Sequence, residues 1–171
     1  MLEDGSVYEG TARGDFKETA CEIVFNTSMT GYVEILTDPS YAGQGVVMTY
    51  PMIGNYGISR EDFESERLQP SAFIVHELSS DPSNFRCTDT IENLLKEYNI
   101  PCISGVDTRA VVKKLRESGT MRGVLTSDIG DRERLMDVIK SFRQIDLVGS
   151  VTAKQTKVYG EENTGAEIAL M

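Results

Sequence analysis

The sequence predicts an α/β protein in which a strand-and-turn first half leads into a βαβαβα second half. Two observations carry that expectation. Up to Tyr56 the apolar residues come in short β-branched and aromatic runs bounded by Gly, Pro and Asp. After Leu68 the apolar period lengthens to that of amphipathic helices, each opened by an acidic residue and set off by a short apolar run.

In chain order, Leu2-Glu3 and Ser6-Val7-Tyr8 flank Asp4-Gly5, the pair that suits both centres of a type I′ hairpin turn. Cys21 to Phe25 and Gly45 to Tyr50 read as strands. Between them Thr37-Asp38-Pro39-Ser40 places Pro39 at the second position of a turn. Pro51 to Gly57 reads as a glycine-punctuated loop, and Arg60 to Glu66 as a solvated loop or helical turn. The first half is therefore expected to be mainly antiparallel.

Ala72-Phe73-Ile74-Val75 opens the second half as a buried strand. Asp89, with Glu92 three residues on, approximates a capping box for a helix that buries Ile91, Leu94, Leu95 and Tyr98 and stops near Asn99-Ile100-Pro101. Cys102-Ile103-Ser104 is the next strand. Asp107 caps a helix with Ala110, Val111 and Leu115 inward and Gly119 at its end. Arg122 to Thr126 is a third strand, and Asp131 opens a helix burying Leu135, Val138, Ile139 and Phe142. This alternation implies a parallel sheet. From Thr152 the chain reads as a polar linker, until Glu167 to Met171 looks like the start of another strand.

Composition narrows the function. The chain has 171 residues and a net charge of −10. That charge repels a polyanion and an anionic membrane surface, so neither nucleic acid nor membrane is an expected partner. No apolar run is long enough to span a bilayer, and the first residues lack the pattern of a secretion signal. Three cysteines without a CxxC spacing argue against a disulfide framework or a zinc site and fit a reducing cytoplasm.

The residues that could do chemistry are few. The single histidine, His76, lies in the apolar run Ile74-Val75-His76-Glu77-Leu78 and suits a strand position better than a catalytic base. Cys21 and Cys102 fall in strands, where free Cys acts as a small hydrophobe. Cys87 sits in a loop beside Arg86 and ahead of a helix start, a setting that can lower a thiol's pKa, but with no motif around it the preferred reading is an inert surface thiol. A hydrolase using Cys87 with His76 is one alternative, and a free-standing regulatory binding module another. With one His and no EF-hand spacing, no zinc or calcium ligand set is present, and no phosphate-loop or nucleophile-elbow motif occurs.

A longer pattern is more specific. Leu2-Glu3-Asp4-Gly5, then Glu22-Ile23-Val24-Phe25-Asn26-Thr27-Ser28-Met29-Thr30-Gly31-Tyr32, runs on through Glu34 to Tyr41 and Thr49-Tyr50-Pro51 to Ile53-Gly54-Asn55-Tyr56-Gly57. Asn99-Ile100-Pro101, Gly105 to Arg109, Leu115 to Gly119 and Asp146-Leu147-Val148 continue it in order. The set closely resembles the amino-terminal domain of the small subunit of glutamine-dependent carbamoyl phosphate synthetase. The resemblance spans essentially the whole chain.

It implies a three-layer β/β/α domain over residues 1–150, with 151–171 a linker and the truncated start of a glutamine amidotransferase domain. It further implies docking on a large synthetase subunit, which uses ATP and Mg. The bond-breaking Cys-His-Glu triad belongs to the amidotransferase half, so this domain is expected to hold no catalytic residue, metal or cofactor of its own. One functional residue carries over: Ser40, in the Thr-Asp-Pro-Ser-Tyr turn, is implied to reach the bound L-glutamine. From the residues alone the favoured reading is that Ser40 only satisfies its own turn; the resemblance shifts the balance to the ligand role. Asn26, Thr27, Ser28, Tyr32 and Asn55 could line the interface, brace the glutamine site or satisfy strand-end backbone. Cys21 and Val33, where that family usually carries Gly and Gln, read as tolerated changes on strand surfaces.

Overall fold

The computed structural model describes residues 1–14, 16–143 and 146–155. Strands β1 (Thr11–Arg13), β2 (Thr19–Asn26), β3 (Gln44–Met48), β5 (Ala72–Ile74), β7 (Cys102–Ser104) and β8 (Met121–Leu125) form one sheet in the order β1-β7-β5-β3-β2-β8. A separate two-stranded sheet pairs β4 (Met52–Ile53) with β6 (Glu77–Leu78). The helices are α1 (Tyr32–Thr37), α2 (Ile91–Glu97), α3 (Thr108–Ser118), α4 (Arg132–Ser141) and α5 (Leu147–Val151). The expected strand at Glu167 to Met171, and the linker beyond Gln155, lie outside the described residues.

The strand pairing corrects two expectations. The centre of the large sheet is parallel, with β2 on β3, β3 on β5 and β5 on β7, so the first half is not mainly antiparallel. The reason is α1, which turns β2 and β3 into a strand–helix–strand unit and so sets them parallel. Its six residues are too few to display a helical period in sequence, yet Tyr32, Val33, Ile35 and Leu36 form a buried face. Conversely, β8 does not extend the parallel run. Helix α3 packs over β3 and β2, ends at Gly119 with φ +82°, and delivers β8 to the far edge, antiparallel to β2 with Ile23 opposite Met121.

The side chains alternate between two cores, as the pleat requires. Val46, Met48, Phe73 and Val75 pack with α1 and α2 and with Ile53 of the small sheet; Val47, Ala72 and Ile74 pack on the other face with Val111 and Leu115 of α3. Leu135 and Ile139 of α4 close on Val124. Cys21 and Val33 are fully buried, Cys21 in β2 and Val33 in α1, so neither is a strand-surface position. Gly45, on the neighbouring strand, accommodates Cys21: a Cβ there would stand 2.7 Å from its sulfur.

Several caps agree with the sequence and two details do not. Asp107 and Asp131 accept from the backbone N–H of Ala110 and Arg134. The cap of α2 is Thr90, which accepts from Asn93, whereas Asp89 accepts from Thr90 N and Asn93 Nδ2. Helix α2 stops as read: Asn99, at φ +56°, and Ile100 donate back to Lys96 and Leu95 in a Schellman arrangement. At the amino end positive φ falls on Gly5 but not Asp4, and Gly5 donates to Leu2. Asp4-Gly5 is therefore the end of an ordinary turn, and Leu2 pairs with Gly123 of β8.

Candidate functional site

The Ser40 turn is built from its own sequence. Asp38 leaves α1 in extended conformation, Pro39 supplies a ready-made φ for the first position of a 3₁₀ turn over Pro39–Tyr41, and Asp38 Oδ1 accepts from Ser40 N at 2.8 Å. Tyr41 N donates to Asp38 O at 3.0 Å, closing the turn. The backbone need is thus met by Asp38. Ser40 is exposed, and among the described residues its hydroxyl has no hydrogen-bond partner. The self-satisfying reading of Ser40 is therefore not the one the structure adopts.

The turn is anchored to the carboxyl end of β2. Asn26 Nδ2 donates to Tyr41 Oη at 2.9 Å, Asn26 Oδ1 accepts from Ser28 N at 2.7 Å, and Asn26 O accepts from Thr49 N at 3.0 Å. One residue thereby joins the Ser40 turn, the β2–α1 loop and the exit of β3. Behind it, Tyr56 Oη accepts from Gly31 N at 2.6 Å and Tyr32 N at 3.1 Å. Tyr32 Oη donates to Gly57 O at 2.7 Å, and the two rings stack with centroids 4.2 Å apart. Burial raises the pKa of both phenols, so each remains a neutral hydroxyl.

This sorts the five signature residues. Asn26 and Tyr32 brace the backbone. Thr27, Ser28 and Asn55 are exposed, and their side-chain polar groups lack partners among the described residues. Met29, 68% exposed, follows Thr27 and Ser28 in the β2–α1 loop, and these three form a polar and apolar rim available to another surface, while Asn55 is exposed in the loop after β4. Tyr56 and Tyr41 are the bracing residues that sequence reasoning did not single out. No local signal marks them, since their partners are 24 or 25 and 15 residues away.

The nucleophile candidates are not assembled. Cys21 and Cys102 are fully buried, and burial pushes both thiols up to about 12. Cys87 Sγ donates to Asp89 O at 3.3 Å, and its neighbour Arg86 is taken up by Asp62 at 2.8 Å and Glu61 at 3.2 Å. His76 is exposed, with Nδ1 3.0 Å from Val106 O. No hydrogen bond joins Cys87 to His76 among the described residues. Those residues also contain no cluster of three His, Cys, Asp or Glu able to hold a metal ion, and no helix long and apolar enough to cross a membrane. A cavity of about 410 Å³ on the α3 face is lined chiefly by aliphatic side chains such as Ile23, Val47 and Ile74 and does not reach the Ser40 turn.

Residues 1–125 match the family profile described as carbamoyl-phosphate synthase small chain, CPSase domain. Among individual proteins, the chain is similar to the carbamoyl phosphate synthase small chain of Archaeoglobus fulgidus, at 47% identity over 99% of this chain and 48% of the relative. The small chain of Clostridium perfringens is 45% identical over 100% of this chain and 48% of its own length. That of Fusobacterium nucleatum is 54% identical over 90% and 43%. The chain spans about half the length of the relatives it matches.

Proposed function

Since the chain belongs to the family of carbamoyl-phosphate synthase small chains, through their CPSase domain, we propose that it is the non-catalytic amino-terminal domain of a small, glutamine-hydrolysing subunit. In this reading it works in the cytoplasm, docks on the large synthetase subunit and borders the glutamine site of its own carboxy-terminal amidotransferase domain, to which residues 151–171 lead. That domain releases ammonia from L-glutamine, and the large subunit combines it with bicarbonate, using ATP and Mg, into carbamoyl phosphate for arginine and pyrimidine synthesis. The β/β/α layering belongs to the same proposal. The separate β4–β6 sheet, with Ile53 and Leu78 in the larger core, supports it.

The observation that carries the reading is the partner-free Ser40 hydroxyl on a turn held by Asp38 and Pro39. A hydroxyl donates to a carboxylate and accepts from an ammonium, and glutamine presents both. One such bond contributes about 1 kcal/mol net, which tunes affinity about fivefold and breaks no bond. Glutamine-dependent and ammonia-dependent synthesis by the full-length subunit, assembled with the large one, provide the test. Ser40→Ala is expected to raise the glutamine KM about fivefold and to leave ammonia-dependent synthesis intact. A parallel fall in both activities would make Ser40 structural. Glutamine hydrolysis by this chain alone, abolished by Cys87→Ala, would overturn its non-catalytic role.

A further inference from the structure

Helix α3 carries Arg109, Lys113 and Arg116, whose spacings of four and three residues align them in one stripe. All three are exposed, and none has an ion pair or hydrogen bond among the described residues. Lys114, on the same helix, is by contrast held 2.9 Å from Asp4. The stripe, with Thr49 and Val112, lines an open cleft of about 450 Å³ whose lining has one carboxylate, Glu117.

This arrangement works against the helix that bears it. Like charges at these spacings repel, and Arg109 lies in the first turn, toward the positive end of the helix dipole and beside the capping carboxylate of Asp107, while Arg116 in the last turn is favourably placed. It also runs against the chain, in which 27 acidic residues outnumber 17 basic ones. Carboxylates brought from outside would relieve both, and guanidinium groups bind them in bidentate fashion. The cleft also adjoins the candidate site, because Thr49 N donates to Asn26 O at 3.0 Å.

We propose that the Arg109–Lys113–Arg116 face of α3 is a docking surface for an acidic face of the large synthetase subunit, one presenting carboxylates about a helical turn apart. This rests on the reading of the chain as a small-subunit domain. A protein face fits better than a nucleic acid. A local acidic patch feels the stripe within a Debye length of about 8 Å, while a long polyanion also meets the net negative charge of the whole chain.

The test compares full-length small subunits by titration against the large subunit at about 50 mM and about 500 mM salt. The variants are Arg109→Gln/Lys113→Gln/Arg116→Gln and the charge-conserving Arg109→Lys/Lys113→Arg/Arg116→Lys, with circular dichroism to verify that each is folded. The Gln variant is expected to bind at least about tenfold more weakly at low salt, the gap narrowing at high salt, while the conservative variant stays within about threefold. Wild-type affinity in the Gln variant overturns the proposal, as does an equal loss in the conservative one. Binding of a fluorescent single-stranded DNA oligonucleotide that the Gln variant alone loses, with subunit affinity unchanged, overturns it in favour of a polyanion. Failure of the wild-type subunit to bind the large one overturns the small-subunit reading itself, and the docking face with it.

Discussion

Tyr56→Phe isolates a single hydroxyl that holds the candidate site to the core. Helix α1 starts at Gly31, φ +82°, without a side-chain cap of its own. Tyr56 Oη takes that place from 24 and 25 residues away, accepting from Gly31 N and Tyr32 N. A lost cap costs about 0.5–2 kcal/mol. Tyr32 is 1% exposed, so its N–H finds no water in exchange, and a buried donor left unpaired costs about 1–3 kcal/mol. Half-buried Gly31 can recover part of its loss from solvent. The terms overlap and sum to about 2–3 kcal/mol. Phe keeps the ring and its 4.2 Å stack on Tyr32, so packing stays outside the comparison. At about 2–4 °C per kcal/mol for a chain of this size, thermal unfolding followed by circular dichroism should move down by about 5–10 °C. The control is Tyr8→Phe, whose hydroxyl makes no hydrogen bond among the described residues and which should stay within about 0.5 kcal/mol of wild type. If Tyr56→Phe also stays within about 0.5 kcal/mol, the hydroxyl does not cap α1 and the site is braced by something else.

Asp38→Ala should separate holding the turn from presenting the hydroxyl. It removes the acceptor for Ser40 N, costing about 1 kcal/mol and about 2–4 °C in Tm, and raises the glutamine KM of the full subunit. Ser40→Ala should raise KM with Tm unchanged, and equal Tm losses in both variants would contradict this division. Alkylation by iodoacetamide followed by mass spectrometry should modify Cys87 in the native chain, and all three cysteines only in urea, because Cys21 and Cys102 are buried. Fast native labelling of Cys21 or Cys102 would contradict the packing. The same burial makes stability pH-dependent. The unfolded chain ionises these thiols near pH 8.5 while the folded one keeps them protonated toward about 12. Their contribution is therefore complete below about pH 8.5 and is lost as pH rises toward about 12. Urea midpoints between about pH 8 and 11 should fall, and fall less in Cys102→Ala.

Short-range rules account for what was legible without coordinates. Asp107, Asp131, Asn99 and Gly119 act within four residues of themselves, and a cap or a positive-φ stop is a local event. The strand positions at Cys21 to Phe25 and Cys102 to Ser104 follow equally from composition. So does the Pro39 turn, where Asp38 and Ser40 are near neighbours.

What folding alone decided is every relation carried across distance. Helix α1 is six residues long and shows no period, so its strand-joining role, and with it the parallel pairing of β2 and β3, depends on packing. Strand β8 turned to the open edge of β2 because α3 lies over β2 and β3, which nothing in Arg122 to Thr126 announces. The residue types of Asn26 and Ser40 were readable, but not that one would be bonded three ways and the other left free. A hydrogen bond spanning tens of residues leaves no periodic trace in the chain that makes it. The amino acids therefore specify the segments, while the contacts between segments determine which polar groups are satisfied and which are left for another molecule.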